Sequence, residues 1–534
     1  MQNIEKLRIE TAKKLQLKKT PKNIELNLLN PKLNLKTKPT RTISGVAPIA
    51  IMTKPDNCPH GKCVFCPGGP NSFFGDIPMS YTGNEPASMR AIRNNFDAYL
   101  QVFNRLEHYI LLNQVPEKVE LIIMGGTFPA YSIEYQDEFI KDAFKAMNDF
   151  SKLFFKDNKL DKNTFQEFFE FNLEFKSKER AEKLHKKILN LKNSTTLQQE
   201  QIKNETSKIR CIALVIETKP DWCKQEHINQ MLKLGTTRVE LGLQTLNDDI
   251  LKKVNRGHTL QDSIESIQLL KDSGLKFIAH MMPGLPSSTN KEDINNFKEI
   301  FSNSNYQPDG LKIYPCMVMP GTPLEIQYKK GLFTPITTET ATKIIIEAKK
   351  YFPKYTRVYR IQRDIPTKVT TDGVKITNLR QHIHQEMEKQ NLTCNCIRCR
   401  EPRNKEISWN NVTLNRIDYE ASNGKEIFLS FDDTKNNILL GFLRLRIPFK
   451  PFREEITKIS AIIREIHVYG QATSIGKKGN VQHLGLGKKL LEEAEKIAKE
   501  FNSQKMLIIS GIGVKEYFKK FNYKKEGVYV SKEL

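Results

Sequence analysis

Short β-rich runs alternate with amphipathic stretches from about Ile43 to Asp372, and this rhythm constrains the fold more than any other feature of the chain. VELIIMGG (Val119 to Gly126), IRCIALVIET (Ile209 to Thr218), TRVELGLQ (Thr237 to Gln244), KFIAHMMPG (Lys276 to Gly284) and GLKIYP (Gly310 to Pro315) read as buried parallel strands. Helical patterns such as His258 to Gly274 lie between most of them. The alternation predicts an α/β domain over 43–380, a full or partial TIM-like (β/α) barrel with function at the C-terminal strand ends. Phe150 to Asn193 breaks the rhythm and predicts a helical insertion over about 150–207, its aromatic residues forming a small local core. After Cys399 the runs IFLSFDD, NILLGFLRLRI and SAIIREIHVYG predict an antiparallel meander. A strong helix (VQHLGLGKKLLEEAEKIAKEF) and the strand KMLIISG complete a second α/β domain over 409–534.

At 534 residues two or three domains are expected. The net charge of +23 favours a polyanionic partner, nucleic acid first, because neutralised phosphates release counterions. Residues 1–42 carry Lys6, Arg8, Lys13, Lys14, Lys18, Lys19, Lys22, Lys32, Lys36, Lys38 and Arg41, broken by Pro21, Pro31 and Pro39, and read as a basic arm for RNA. No apolar run is long enough to span a membrane, and the N-terminus lacks a signal-peptide core. Two tight cysteine clusters suit metal in a reducing compartment rather than disulfides, so a cytoplasmic protein is expected.

Cys58, Cys63 and Cys66 stand in C-x4-C-x2-C spacing. Three thiolates at that spacing suit zinc with a distant fourth ligand, or a [4Fe–4S] cluster with one iron left open to S-adenosylmethionine. The strand ending in Gly125, Gly126 and Thr127 offers exposed backbone to the methionine amine and favours the second reading. Cys394, Cys396 and Cys399 suit a structural zinc in a linker over 381–408, its fourth ligand open among His382, His384, Cys316 and His280. The turn Gln482-His-Leu-Gly485-Leu486-Gly487-Lys488 opens a helix whose N-terminus favours a pyrophosphate. With REIHVYG before it and KEYFKKFNY after, it resembles the GNAT acetyltransferase fold, which binds acetyl-coenzyme A.

CVFCPGGP, SYTGNEPASMRAIR, VELIIMGGTF, IETKPDWC, RVELGLQTLNDDIL, NRGHT, AHMMPGLP, DGLKIYP, YRIQRDIP, LRLR and REIHVYG together resemble the catalytic, third subunit of Elongator in its archaeal or bacterial single-chain form. The resemblance runs from about Lys54 to Tyr529, the insertion excepted. It implies a radical S-adenosylmethionine enzyme fused to a GNAT domain, acting on the wobble uridine of the tRNA anticodon stem-loop. A deoxyadenosyl radical would take hydrogen from the methyl group of acetyl-coenzyme A. The carbon would add to uracil C5, and electron loss and thioester hydrolysis would give 5-carboxymethyluridine. An electron donor, and a second copy or Elongator-type subunits, are the further partners it brings to mind. Residue by residue it places the iron–sulfur cluster on Cys58, Cys63 and Cys66, and coenzyme on Lys118, Glu465, Ile466, His467, Val468, Leu486, Gly487 and Lys488. Tyr517 is the candidate tyrosine of the late helix; Phe518 stands where the family's second tyrosine would be. Zinc at the second cysteine cluster follows the same resemblance.

Glu217 and Gln244 at strand ends are candidate contacts for cofactor or uridine, with Arg238, Glu240, His280, Lys312 and Tyr314 nearby. Arg90, Arg93, Arg398 and Arg400 are candidate tRNA contacts, whereas Arg357, Arg360 and Arg363 have salt bridges as their alternative. Two competing functions are a protein lysine acetyltransferase with a structural cluster and a non-catalytic tRNA-binding scaffold.

Overall fold

A computed structural model of the protein describes residues 2–16, 19–29, 33, 35, 44–170, 177–403, 405–470 and 484–534. Of the basic arm, Lys18, Lys32, Lys36, Lys38 and Arg41 lie outside the described residues, as does Gln482. No helix among the described residues is long and apolar enough to cross a membrane.

The first sheet has seven strands in chain order: β1 Val46–Met52, β2 Lys118–Met124, β3 Arg210–Thr218, β4 Arg238–Gln244, β5 Lys276–Met281, β6 Gly310–Ile313 and β7 Arg357–Ile361. Every neighbouring pair is parallel. β1 and β7 do not pair with each other, so the curled sheet is an open half-barrel. These two edge strands escape the sequence pattern for physical reasons. β1 carries Pro48, tolerated at an edge, and β7 carries Arg357 and Arg360.

Between β2 and β3 the chain makes the expected helical excursion, with helices at Ile133–Phe154, Lys162–Phe168, Lys178–Leu189 and Leu197–Thr206. Its described phenylalanines form no separate local core. Phe150 and Phe154 meet edge to face at 4.6 Å, Phe150 lies 5.5 Å from Phe103, and all three belong to the main core.

The second sheet comprises β8 Val412–Ala421, β9 Gly424–Asp433, β10 Ile438–Ile447, β11 Ser460–Val468, β12 Lys505–Ile508, β13 Lys524–Glu526 and β14 Tyr529–Glu533, in the order β8-β9-β10-β11-β12-β14-β13. β8 to β11 form the antiparallel meander, and β12 joins β11 in parallel. The helix Leu486–Glu500 buries Leu490, Leu491, Ala494, Ile497 and Ala498 against this sheet.

The second sheet caps the N-terminal ends of the half-barrel strands through buried ion pairs. Arg464 on β11 grips both oxygens of Asp309, just before β6, at 2.9 and 2.5 Å, and reaches Glu426 at 3.1 Å. Arg446 joins Asp272 at 2.6 Å to Glu426 at 3.0 Å. Arg444 and Lys276 meet on Glu465 at 3.0 and 2.8 Å. The three arginines are at most 1% exposed. Burial alone would raise the Glu426 carboxyl, but Arg464, Lys271 and Arg446 bring it down to about 2.

Removing one member of such a pair strands the other charge in the interior. Asp309→Ala should cost about 3–5 kcal/mol, since Arg464 and the Phe277 amide lose an acceptor and Arg444 loses an ion-pair partner. Calorimetry should show both domains melting earlier; a loss below about 1 kcal/mol would show that the pair adds no net stability.

Candidate active site

β1 leads directly into the cysteine loop. Cys63 and Cys66 are 4% exposed, packed with Met79 and beside Cys58 and Phe65. Each thiol meets a polar partner: Cys58 the Thr127 hydroxyl at 3.7 Å, Cys63 the His60 Nε2 at 3.3 Å and Arg256 Nη1 at 3.7 Å, and Cys66 the Ser80 amide at 3.2 Å. Burial pushes the Cys66 thiol up to about 11, so a thiolate there requires cationic compensation. Among the described residues, two groups bring three ligand atoms within 4.8 Å of one another, and this triad is neither. A single zinc ion needs such convergence, whereas a four-iron cluster carries its cysteines on separate metal corners. The buried thiols, their donors and the Arg256 guanidinium therefore fit the cluster.

Beside the loop, Gly125 and Gly126 follow β2 at φ +125° and +101°. Their roles separate. A Cβ on Gly125 would sit 2.2 Å from the Thr53 hydroxyl, so that glycine serves packing. Gly126, with Thr127, lines the cavity. Gln244 ends β4 at φ 72°, a strained backbone for a non-glycine residue, and its buried Oε1 has no hydrogen-bond partner. Glu217 accepts from Tyr81 at 3.0 Å and Lys312 at 3.4 Å. Lys312 also meets Glu240, which His280 approaches at 3.1 Å, while Arg238 bonds Glu120 at 2.6 Å. Glu217, Glu240 and His280 do converge, but the Lys312 ammonium already supplies their cation.

The cavity, about 1780 Å³, continues through the half-barrel to Glu465, Ile466, His467 and Phe518. The β11–β12 ladder ends at Ile463 and Ile508, so β11 runs on beyond its neighbour. Glu465 offers only its backbone to a ligand, because Lys276 and Arg444 occupy its carboxylate. His467 stacks on Phe442 and meets the Tyr469 ring at a tilt, 4.4 Å away. Burial lowers it to about 4, and its Nε2 has no partner. Gly485 caps the following helix at φ 80°; Leu486 turns its side chain into the core, and Lys488 pairs with Glu492 at 3.5 Å. A Cβ on Gly487 would meet the Tyr517 hydroxyl at 3.2 Å and Val468 at 3.7 Å. Tyr517 thus stands over the helix start, and Phe518 lines the cavity in its place.

The second cysteine cluster does converge: Cys394, Cys396 and Cys399 lie within single-ion reach, Cys396 and Cys399 3.6 Å apart. His384 Nε2 faces Cys399 at 3.9 Å. Cys316 packs with Ile250, Val254 and Leu324, and His280 belongs to the half-barrel, so neither is a ligand here.

Several expected RNA contacts are structural. Arg400 is 1% exposed and bonds Asp432 at 2.6 Å; Arg90 is buried, donating to the Ala50 carbonyl at 2.6 Å. Arg357 pairs with Glu401 at 2.5 Å and Arg360 with Asp364 at 2.8 Å. Arg93 is exposed, and Arg398 lines the cavity. Lys118 opens β2 at the floor of the half-barrel, opposite the cysteine loop and beside Arg210, against which Gly513 of the second domain packs. Sequence reasoning missed His60, Tyr81, Lys219 and Arg256, which lie in or beside the quoted motifs but carry no spacing signature.

The radical SAM superfamily model matches residues 52–299, and the radical SAM C-terminal domain model matches 308–389. A tRNA uridine(34) acetyltransferase of Methanocaldococcus infernus is 49% identical over 510 residues, covering 94% of this chain and 88% of that protein. Elongator complex protein 3 of Dictyostelium discoideum is 38% identical over 554 residues, covering 100% and 91%. The solved archaeal Methanocaldococcus infernus Elp3 with its N-terminus deleted (1–46) superposes with a TM-score of 0.75 at 43% identity, covering 92% of this chain and 100% of that one. Radical SAM membership implies a [4Fe–4S] cluster and S-adenosylmethionine, as the cysteine loop accommodates. The chain therefore belongs to the family of tRNA uridine(34) acetyltransferases and Elongator complex protein 3, and is a radical S-adenosylmethionine enzyme.

Proposed function

We propose that the chain modifies uridine 34 of tRNA in the cytoplasm, joining the methyl carbon of acetyl-coenzyme A to uracil C5 and yielding 5-carboxymethyluridine. The observation that carries this reading is the single cavity shared by Cys58, Cys63 and Cys66 at one end and Glu465 to His467 at the other. Two cofactors whose chemistry must meet need one enclosed space. The cluster with S-adenosylmethionine supplies a 5′-deoxyadenosyl radical there. Gly126, Thr127, Glu217 and Gln244 hold and orient the sulfonium cofactor. The β11 edge takes the pantetheine arm, and the helix start at Leu486 to Lys488, with Tyr517 over it, takes the diphosphate. Lys118 supplies a further cation at the barrel floor. Phe518 contributes a packing surface rather than a hydroxyl. Arg363, Arg380, Arg398 and Arg403 line the cavity and meet the anticodon phosphates. The second cysteine cluster holds zinc with His384 as fourth ligand. It fastens the segment 381–408, which bonds the first domain through Ile397 N–H to Thr356 O at 2.8 Å and the second through Arg400.

Anaerobic reconstitution with reductant, S-adenosylmethionine, acetyl-coenzyme A and unmodified tRNA, read by nucleoside mass spectrometry, should show carboxymethyl on uridine. Cys63→Ala and Gly487→Glu should each abolish it; tRNA binding without modified nucleoside or deoxyadenosine would overturn the catalytic reading. For the second metal, one zinc per chain is expected by elemental analysis. His384→Ala should lower zinc retention against chelator at least tenfold, and His382→Ala should leave it unchanged.

A further inference from the structure

The cysteine loop is clamped by a segment almost two hundred residues away. Val64 N–H bonds the Val254 carbonyl at 3.1 Å, and Asn255 Nδ2 bonds the Lys62 carbonyl at 2.9 Å. Arg256 crosses Gly242, where any Cβ would lie 2.3 Å from its guanidinium, to reach Cys63 at 3.7 Å. Gly257, at φ +75°, leaves room for His60, whose Cβ an alanine Cβ would approach to 2.5 Å and whose ring Cγ to 2.9 Å. The clamp thus seats His60 so that Nε2 faces Cys63 Sγ at 3.3 Å.

We infer that His60 is a positioning residue that tunes the iron–sulfur cluster through an N–H···S bond to Cys63; this rests on the cluster occupying Cys58, Cys63 and Cys66. A metal-bound thiolate only accepts hydrogen bonds, so Nε2 carries the proton and Nδ1 is the acceptor. That agrees with Nδ1 being the buried ring atom left without a partner. Cys63 receives two side-chain donors, His60 and Arg256, whereas Cys66 receives the backbone amides of Ser80 and Gly68 and Cys58 faces the Thr127 hydroxyl. Donors to cluster sulfur stabilise the more negative, reduced state and raise its reduction potential. The three cysteines are therefore inequivalent, and Cys63 is the corner held by basic side chains rather than by backbone amides or a hydroxyl.

The test is a redox titration of the reconstituted full chain followed by electron paramagnetic resonance, on wild type, His60→Phe and His60→Gln. His60→Phe should load the same iron and sulfide per chain and show a more negative midpoint potential; His60→Gln, which keeps an N–H donor, should move back toward wild type. Equal midpoints in all three proteins would overturn the assignment. Should His60→Phe not load, 15N-histidine-labelled wild type decides. A nitrogen coupling to the reduced cluster that His60→Gln lacks is expected, and the same spectrum from both proteins overturns it. A wild-type chain that binds no four-iron cluster would overturn the cluster reading itself, a different result from loaded proteins with equal midpoints.

Discussion

The bidentate pair between Arg464 and Asp309 is the interaction on which the rest of the molecule depends. Asp309 sits at the foot of β6 and also accepts the Phe277 amide, so it holds the β5 and β6 starts and the second sheet in one grip. Around it, positive and negative side chains nearly balance in the buried interior. Burying that many charges is tolerable only because every carboxylate there has a guanidinium or ammonium partner. The outcome is a continuous charged junction between the two sheets.

That junction determines where chemistry can occur. In a closed barrel the N-terminal face is a stabilising floor and ligands stay at the opposite end. Here the floor is the second sheet, and the cavity passes through the half-barrel to reach it. Glu465 shows how closely the two ends are tied. Its carboxylate locks onto Lys276 of the barrel while its backbone forms part of the β11 edge. Shifting the barrel floor therefore shifts the β11 edge with it.

Much of this was legible before any coordinates. The interior strands β2 to β6 announced themselves because short β-rich runs recur between amphipathic helical stretches, and the cysteine spacing and glycine turn did so because metal and helix-terminus geometry permit few alternatives. The edges β1 and β7 did not, since an edge strand carries proline and arginine that blur the pattern. Arg400 looked like an RNA contact because sequence cannot distinguish an arginine facing solvent from one facing Asp432. The interface had a signature that went unread: LRLR places Arg444 and Arg446 on β10, a strand that is otherwise wholly apolar. Charges at a spacing of two on a buried strand indicate a face that meets oppositely charged groups, not water.

The unpaired edges of the half-barrel have a topological consequence. A polymer bent into a closed loop presents no free end to thread through a ring. A sheet in the shape of the letter C, with β1 and β7 as its unpaired tips, is not such a ring among the described residues. Its strand pairing therefore sets no demand that a bound chain arrive end first.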